Sequence, residues 1–271
     1  MSKTRVISIT SGKGGTGKSN VTLNLGLALA ALGKKVLLLD ADTGLANLDV
    51  LMGITPGRNI FNLLRKGDSI NDILISYEPN LDLLPGASGI EELVNQSTED
   101  RLILLEAISS LNDYDYLLID TRAGISSDVT YFNSAANEIV LVTTPEPTAL
   151  TDAYAMIKVM SGHYKERLFG IIVNQAVATS DAQNAFQSLR RVAAKHLEVN
   201  LKFIGTVPFD PLLRESVSAR RPVLTEFPSC QASRAFRGLA TQFVSDTNPP
   251  RIKGGVQFFF QQLLEQGVYG C

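Results

Sequence analysis

Cysteine is nearly absent from the chain, which has two among 271 residues, Cys230 and Cys271. They have no metal-ligand spacing, and Cys271, as the last residue, is poorly placed for a rigid disulfide. A reducing cytoplasm is the expected setting. Charge is scarce as well: charged residues make up 19% and the formal net charge is −2. That excludes a molecule that holds nucleic acid by a bulk positive field. No apolar run reaches the roughly 18 residues that a spanning helix needs. No signal peptide is expected, because Met1-Ser2-Lys3-Thr4-Arg5 runs straight into the strand-like Val6-Ile7-Ser8-Ile9. The ending Val268-Tyr269-Gly270-Cys271 is not a prenylation box, since its cysteine stands last. Repeats, low-complexity tracts and internal linkers are missing up to about residue 246. What remains is 45% apolar, an ordinary globular composition sufficient for one large α/β domain or two small ones.

Short β-branched or Leu-rich runs alternate with helical patterns. Strands are expected at 6–9, 36–39, 81–84, 116–119, 139–143, 169–173 and 203–207. Most of these runs are apolar throughout, as for strands buried on both faces of a parallel sheet. Helices are expected at 19–32, 100–110, 148–160, 183–196 and 231–243. The order predicts a doubly wound, mostly parallel α/β sheet. Residues 1–245 are expected to form this domain. Asp246-Thr247-Asn248-Pro249-Pro250 then breaks the chain, and 246–271 read as a linker and a short amphipathic helix.

Gly12, Gly17, Lys18 and Ser19 match G-x-x-x-x-G-K-[ST] between a strand and a helix. In Gly12-Lys13-Gly14-Gly15-Thr16-Gly17-Lys18-Ser19-Asn20 the glycines let backbone N–H groups turn onto phosphates. The helix N-terminus adds a positive field. Lys18 is expected to reach the β- and γ-phosphates of a nucleotide and Ser19 to ligate Mg²⁺.

Acidic residues close two strands. Asp40 and Asp42 follow the second, spaced so that one can orient a metal-bound water and the other the attacking water. In Leu117-Leu118-Ile119-Asp120-Thr121-Arg122-Ala123-Gly124, Asp120 is expected to hold Mg²⁺ through water. Gly124 is a candidate hinge whose N–H senses the γ-phosphate. Further on, Thr148 suits a helix N-cap, and Asn174 ends a strand with one donor and one acceptor to offer.

Lys13 is not required by the general motif. With it, the loop resembles the deviant Walker A ATPases of the MinD/ParA type, signature K-G-G-x-x-G-K-[ST], and the likeness runs from residue 5 to about 265. The resemblance implies a dimer with nucleotide sandwiched between subunits, in which Lys13 crosses to the partner's phosphates. It assigns Asp42 to the attacking water, Asp40 to the magnesium sphere and Asn47 to the neighbourhood of the dimer face. It further implies that Glu146 meets a ribose across the dimer, that Asn174 reads adenine, and that Pro208, Phe209 and Asp210 pack on the base. The family usually has a small residue or Pro where this chain has Arg122, which is given no role.

Thr121-x-Ala123-Gly124-Ile125, Glu146-Pro147-Thr148-x-x-x-Asp152-Ala153-Tyr154 and Val207-Pro208-Phe209-Asp210 resemble the FlhG/FleN branch, regulators of flagellar number and placement. So do 223–237 and Gln257-Phe258-Phe259-Phe260. The resemblance implies a weak ATPase switch acting on a FleQ-type transcription activator. Activation of FlhF is in doubt, because the D-Q-A-x-x-L-R extension of some relatives is not seen. MinD-type septum placement and ParA-type DNA partition are the rival readings. Val256, Phe259, Phe260, Leu263 and Leu264 fall on one helical face, which suits peripheral membrane contact at the inner face of the cell membrane or docking in a groove of the same domain. Basic residues cluster at Arg190, Arg191, Lys195, Arg214, Arg220 and Arg221, a pattern usual for a solvated face, and direct DNA binding is not expected.

Overall fold

The computed structural model describes residues 4–42, 47–59, 68–85 and 113–246, together with 62, 106, 107 and 111. Its centre is an eight-stranded sheet. The strands are β1 (Arg5–Ser11), β2 (Val36–Ala41), β3 (Ile75–Glu78), β4 (Leu81–Leu84), β5 (Tyr116–Ala123), β6 (Glu138–Thr143), β7 (Leu168–Ala176) and β8 (Asn200–Pro208). They lie in the order β3-β4-β2-β5-β1-β6-β7-β8. Every described pairing is parallel except β3 with β4.

The helices are α1 (Lys18–Ala31), α2 (Leu48–Met52), α3 (Ile70–Ile73), α4 (Ser127–Ala135), α5 (Pro147–His163), α6 (Thr179–His196), α7 (Pro211–Ser218), α8 (Val223–Glu226) and α9 (Gln231–Ser245). Side-chain alternation along each strand decides which face they cover. Ile7, Ile9, Val36, Leu38, Leu118 and Val140 turn to the face closed by α1 and α9, against Leu25, Leu29, Phe236 and Leu239. On the other face Val6, Leu37, Leu39, Leu117 and Ile119 meet α3 and α4, and Ile139, Leu141, Phe169 and Ile171 meet α5 and α6. Both faces are therefore dry, which explains why strand runs in the sequence are apolar throughout rather than alternating.

All seven expected strands are present, several of them longer than expected. The eighth, β3, was not expected. It is an edge strand whose residues alternate between exposed and half-buried, and it turns into β4 through Pro79 and Asn80, the latter at φ 67. Four of the five expected helices are found. The fifth, 100–110, lies outside the described residues apart from the helical Glu106 and Ala107. Thr148 is not the N-cap of α5. Pro147 takes the first helical position, and the extended Glu146 is the cap residue, at φ −60 and ψ 132. A proline lacks the N–H that a first-turn residue would leave unpaired, and it holds its predecessor extended.

The parallel arrangement brings the carboxyl ends of β1, β2, β5, β6, β7 and β8 to one edge of the sheet. Every sequence-predicted site residue in the described part of the chain follows one of these strands or lies in its C-terminal half.

Candidate functional site

The glycine-rich loop leaves β1 after Ser11 and enters α1 at Lys18. The N-cap of α1 is Gly17, at φ 88, with no side-chain cap and no acid in the first turn. The first N–H groups of the helix therefore have no internal acceptor and suit an anion. Gly12 is compelled by packing, since a Cβ there would stand 2.1 Å from the Asp152 carbonyl oxygen of α5. Gly17 is compelled twice, by its φ and by the Asn174 Nδ2 that a Cβ would meet at 2.3 Å. Beside Gly14 and Gly15 there is open space within 4 Å. The loop is thus held tightly at both ends and open in the middle, a shape that fits a phosphate chain. Ser19 and Asn20 follow in the first turn of α1.

Lys18 is 9% exposed and Asp120 fully buried. Burial pushes the Asp120 carboxyl up to about 7, against the pull of the Lys18 ammonium and hydrogen bonds from Ser19 and Thr22. Thr22 Oγ1 donates to Asp120 Oδ1 at 3.3 Å, while Oδ2 is buried with no hydrogen-bond partner. A buried carboxylate oxygen left unpaired beside a serine hydroxyl fits a magnesium-bound water. Asp40 sits opposite Asp120 in the β2–β5 register. Its carboxylate accepts the backbone N–H groups of Asp42 at 3.1 Å, Asn47 at 2.9 Å and Leu48 at 3.0 Å. Burial still raises it to about 6 despite those three bonds. Asp40 therefore ties Asp42 to Asn47 and Leu48 and stands beside Asp120. Among the described residues no group of three or more His, Cys, Asp or Glu could hold a metal ion. Magnesium normally relies on one or two protein oxygens, substrate phosphates and water, and Ser19 with Asp120 fits that mode. When bound, the ion neutralises charge on the β- and γ-phosphate oxygens.

Asp42 is half-buried at the rim of this group, where Asn47 Nδ2 donates to its Oδ2 at 3.3 Å. Residues 43–46 lie outside the described residues. Gly124 has φ 102, which suits a hinge. Its N–H, however, donates to the Ser11 carbonyl at 2.9 Å, so sensing a γ-phosphate would require that bond to open. Arg122 is exposed.

Lys13 lies on the outer rim. Its Nζ donates to Glu146 Oε2 at 3.2 Å and Thr148 Oγ1 at 2.9 Å. The side chains of Lys13 and Glu146 are 40% and 65% exposed.

At the far end, Asn174 is 2% exposed. Its Nδ2 donates to the Thr16 carbonyl at 2.8 Å and its Oδ1 accepts the Gln175 N–H at 2.9 Å. Its amide is engaged with the phosphate loop. Pro208 ends β8, and Phe209 is 42% exposed with the Arg214 guanidinium 5.4 Å from its ring centre. Phe209 thus has an open face, as stacking requires. Asp210 differs from expectation. Its Oδ1 accepts Leu212 N–H and its Oδ2 accepts Ala232 N–H, both at 3.0 Å. Burial pushes this carboxyl up, but the bonds from Ala232 and Leu212 outweigh it and leave it below the usual range. The carboxylate holds the N-termini of α7 and α9.

Val256, Phe259, Phe260, Leu263 and Leu264 lie outside the described residues. Four residues of the site had not been singled out for what they do here: Ser11, Thr22, Thr148 as a Lys13 partner, and Gln175. Thr22 had a signal, since it stands one helical turn after Ser19 and shares its face.

Comparison with known proteins shows the family and the fold. The family described as "AAA domain" matches residues 4–169, and the family described as "NUBPL iron-transfer P-loop NTPase" matches residues 102–244. The chain is 38% identical over 271 residues to the antiactivator FleN of Pseudomonas aeruginosa, covering 100% of this chain and 97% of that one. It is 37% identical over 267 residues to the flagellum site-determining protein YlxH of Helicobacter pylori, covering 97% and 90%. The structure of the septum site-determining protein MinD complexed with Mg-ADP, from Pyrococcus horikoshii, superposes with a TM-score of 0.70 at 29% identity, covering 89% and 96%. With a loop, buried lysine and paired acids that fit ATP and Mg²⁺, the chain belongs to the MinD/ParA family of P-loop ATPases, in its FleN/FlhG branch.

Proposed function

We propose that the chain is an ATP-driven dimerising switch that regulates flagellar number and placement, and flagellar gene transcription. The observation that carries the dimer is the position of Lys13. Its ammonium stands at the exposed rim with Glu146 and Thr148, where a second copy could approach it. An exposed ion pair of this kind is worth less than about 1 kcal/mol, so Lys13 leaves it at little cost. In the ATP-bound dimer Lys13 of each protomer supplies positive charge to its partner's phosphates, Glu146 approaches the ribose, and Lys18 holds the phosphates of its own chain. Asp42 positions the attacking water, and hydrolysis returns the monomer.

The flagellar assignment is supported by likeness over the full chain to an antiactivator and a flagellum site-determining protein. The partner proposed is a FleQ-type transcription activator, with FlhF as a further candidate. Residues 1–245 act as the ATPase domain, and 246–271 as an appendage that meets the inner face of the cell membrane. No described helix is long and apolar enough to cross a membrane. Direct DNA binding has little support, since Arg214 lies over Phe209 and Arg221 pairs with Glu226 at 3.2 Å.

The test is the molar mass of wild-type, Asp42→Ala and Lys13→Ala protein by light scattering with ATP and Mg²⁺. Asp42→Ala should accumulate as a dimer and Lys13→Ala should remain monomeric. Wild-type and Asp42→Ala protein that both stay monomeric would sink the switch. Co-purification with the activator, FlhF or MinC then separates the flagellar reading from septum placement.

A further inference from the structure

We infer that Asn174 and Gln175 form a two-amide clamp that sets the phosphate-facing N–H groups of the glycine-rich loop, which makes both of them positioning residues for nucleotide binding. In a regular strand two successive side chains point to opposite faces. Here both reach the same loop. Asn174 Nδ2 donates to the Thr16 carbonyl at 2.8 Å, and Gln175 Nε2 donates to the Gly15 carbonyl at 3.2 Å. The end of β7 makes this possible. Its register with β8 shifts between Asn174 and Ala176, and Gln175 stands at φ 58, a left-handed conformation that costs a non-glycine residue energy. A bulge at this place re-aims a side chain.

The consequence follows from the peptide plane. In a trans peptide the carbonyl of one residue and the N–H of the next point in opposite directions. Holding the Gly15 carbonyl turns the Thr16 N–H away from Gln175, and holding the Thr16 carbonyl turns the Gly17 N–H away from Asn174. Ser11 does the same at the start of the loop. Its Oγ donates to the Lys13 carbonyl at 2.8 Å, which sets the Gly14 N–H. A loop with Gly15 at φ 80 and Gly17 at φ 88 has much freedom to lose on binding. Carbonyls tied from outside remove part of that cost before the nucleotide arrives. The clamp also gives a second reason for Gly17, because the Asn174 amide occupies the space that its Cβ would fill.

This inference rests on nucleotide binding at the loop and not on the dimer. It gives Asn174 a hold on the phosphate loop beside any contact to the base, and the two roles are separable by experiment. MgATP and MgITP carry the same phosphates and differ at the 6-amino group of the base. Their affinities are measured for full-length wild-type, Asn174→Ala and Gln175→Gly protein, alongside the thermal midpoint without nucleotide. Glycine accepts the positive φ at 175 and deletes only the amide. Asn174→Ala should weaken both nucleotides by about tenfold. Gln175→Gly should weaken both by about threefold without lowering the midpoint. The clamp falls if Asn174→Ala weakens MgATP alone, or if Gln175→Gly binds both nucleotides as wild type does. Should Asn174→Ala not fold, the exposed Gln175 still decides. Wild-type protein that binds neither nucleotide would overturn the ATPase reading instead.

Discussion

Lys13 and Lys18 belong to one loop and have opposite surroundings. Lys18 is 9% exposed in the first turn of α1, with the fully buried Asp120 as its electrostatic counterpart. Lys13 is at the rim, its side chain 40% exposed, held by Glu146 and Thr148. The fold has committed Lys18 to its own chain and left Lys13 cheap to move. Burial decides the difference. A charge taken out of water is held hard by whatever compensates it, whereas an exposed pair is worth little. The same loop can therefore hold nucleotide permanently with one lysine and report on a second subunit with the other.

The largest expected effect comes from Lys18→Ala, which should weaken MgATP by about 100-fold or more through loss of charge-assisted bonds to two phosphates. Calorimetric titration checks this, and an affinity within tenfold of wild type would break the contrast from its buried side. Lys13→Ala comes next. Its MgATP affinity should stay within about threefold at dilute protein, while the ATP-dependent dimer disappears. Equal losses of affinity in the two variants would erase the distinction.

The third prediction concerns pH. Burial raises Asp120 from 3.8 to about 7, so across that interval the folded protein holds a proton that the unfolded chain has released. Stability of the nucleotide-free protein then falls as pH rises through the interval and levels off above it. Thermal midpoints between pH 4.5 and 8 should show this slope, and Asp120→Asn should reduce it. Mg²⁺ with ADP should flatten it as well, because the ion favours the charged carboxylate. A slope of the opposite sign would show that Asp120 is ionised at little cost. The smallest effect belongs to Glu146→Gln, which removes one side of the exposed pair. The thermal midpoint should move by no more than about 2–4 °C.

Much of this was legible in the sequence. Strands buried on both faces announced themselves as apolar runs, and the loop carried its chemistry in a contiguous motif. What escaped was of two kinds. β3 is half-exposed and short, so its pattern is weak, although Pro79 and Asn80 mark the turn beside it. The Asn174–Gln175 contacts depend on a bulge that places successive side chains on one side, and no periodicity reports a bulge. The same limit applies to Asp210. Nothing in its motif shows that the strand end puts its carboxylate within reach of two helix N-termini.

The most direct test of the two-lysine account pairs light scattering with nucleotide titration on Lys13→Ala and Lys18→Ala protein in the same buffer. The account predicts that Lys18→Ala loses nucleotide and dimer together, while Lys13→Ala keeps nucleotide and loses only the dimer. A Lys13→Ala protein that forms the ATP-dependent dimer as wild type does would contradict it.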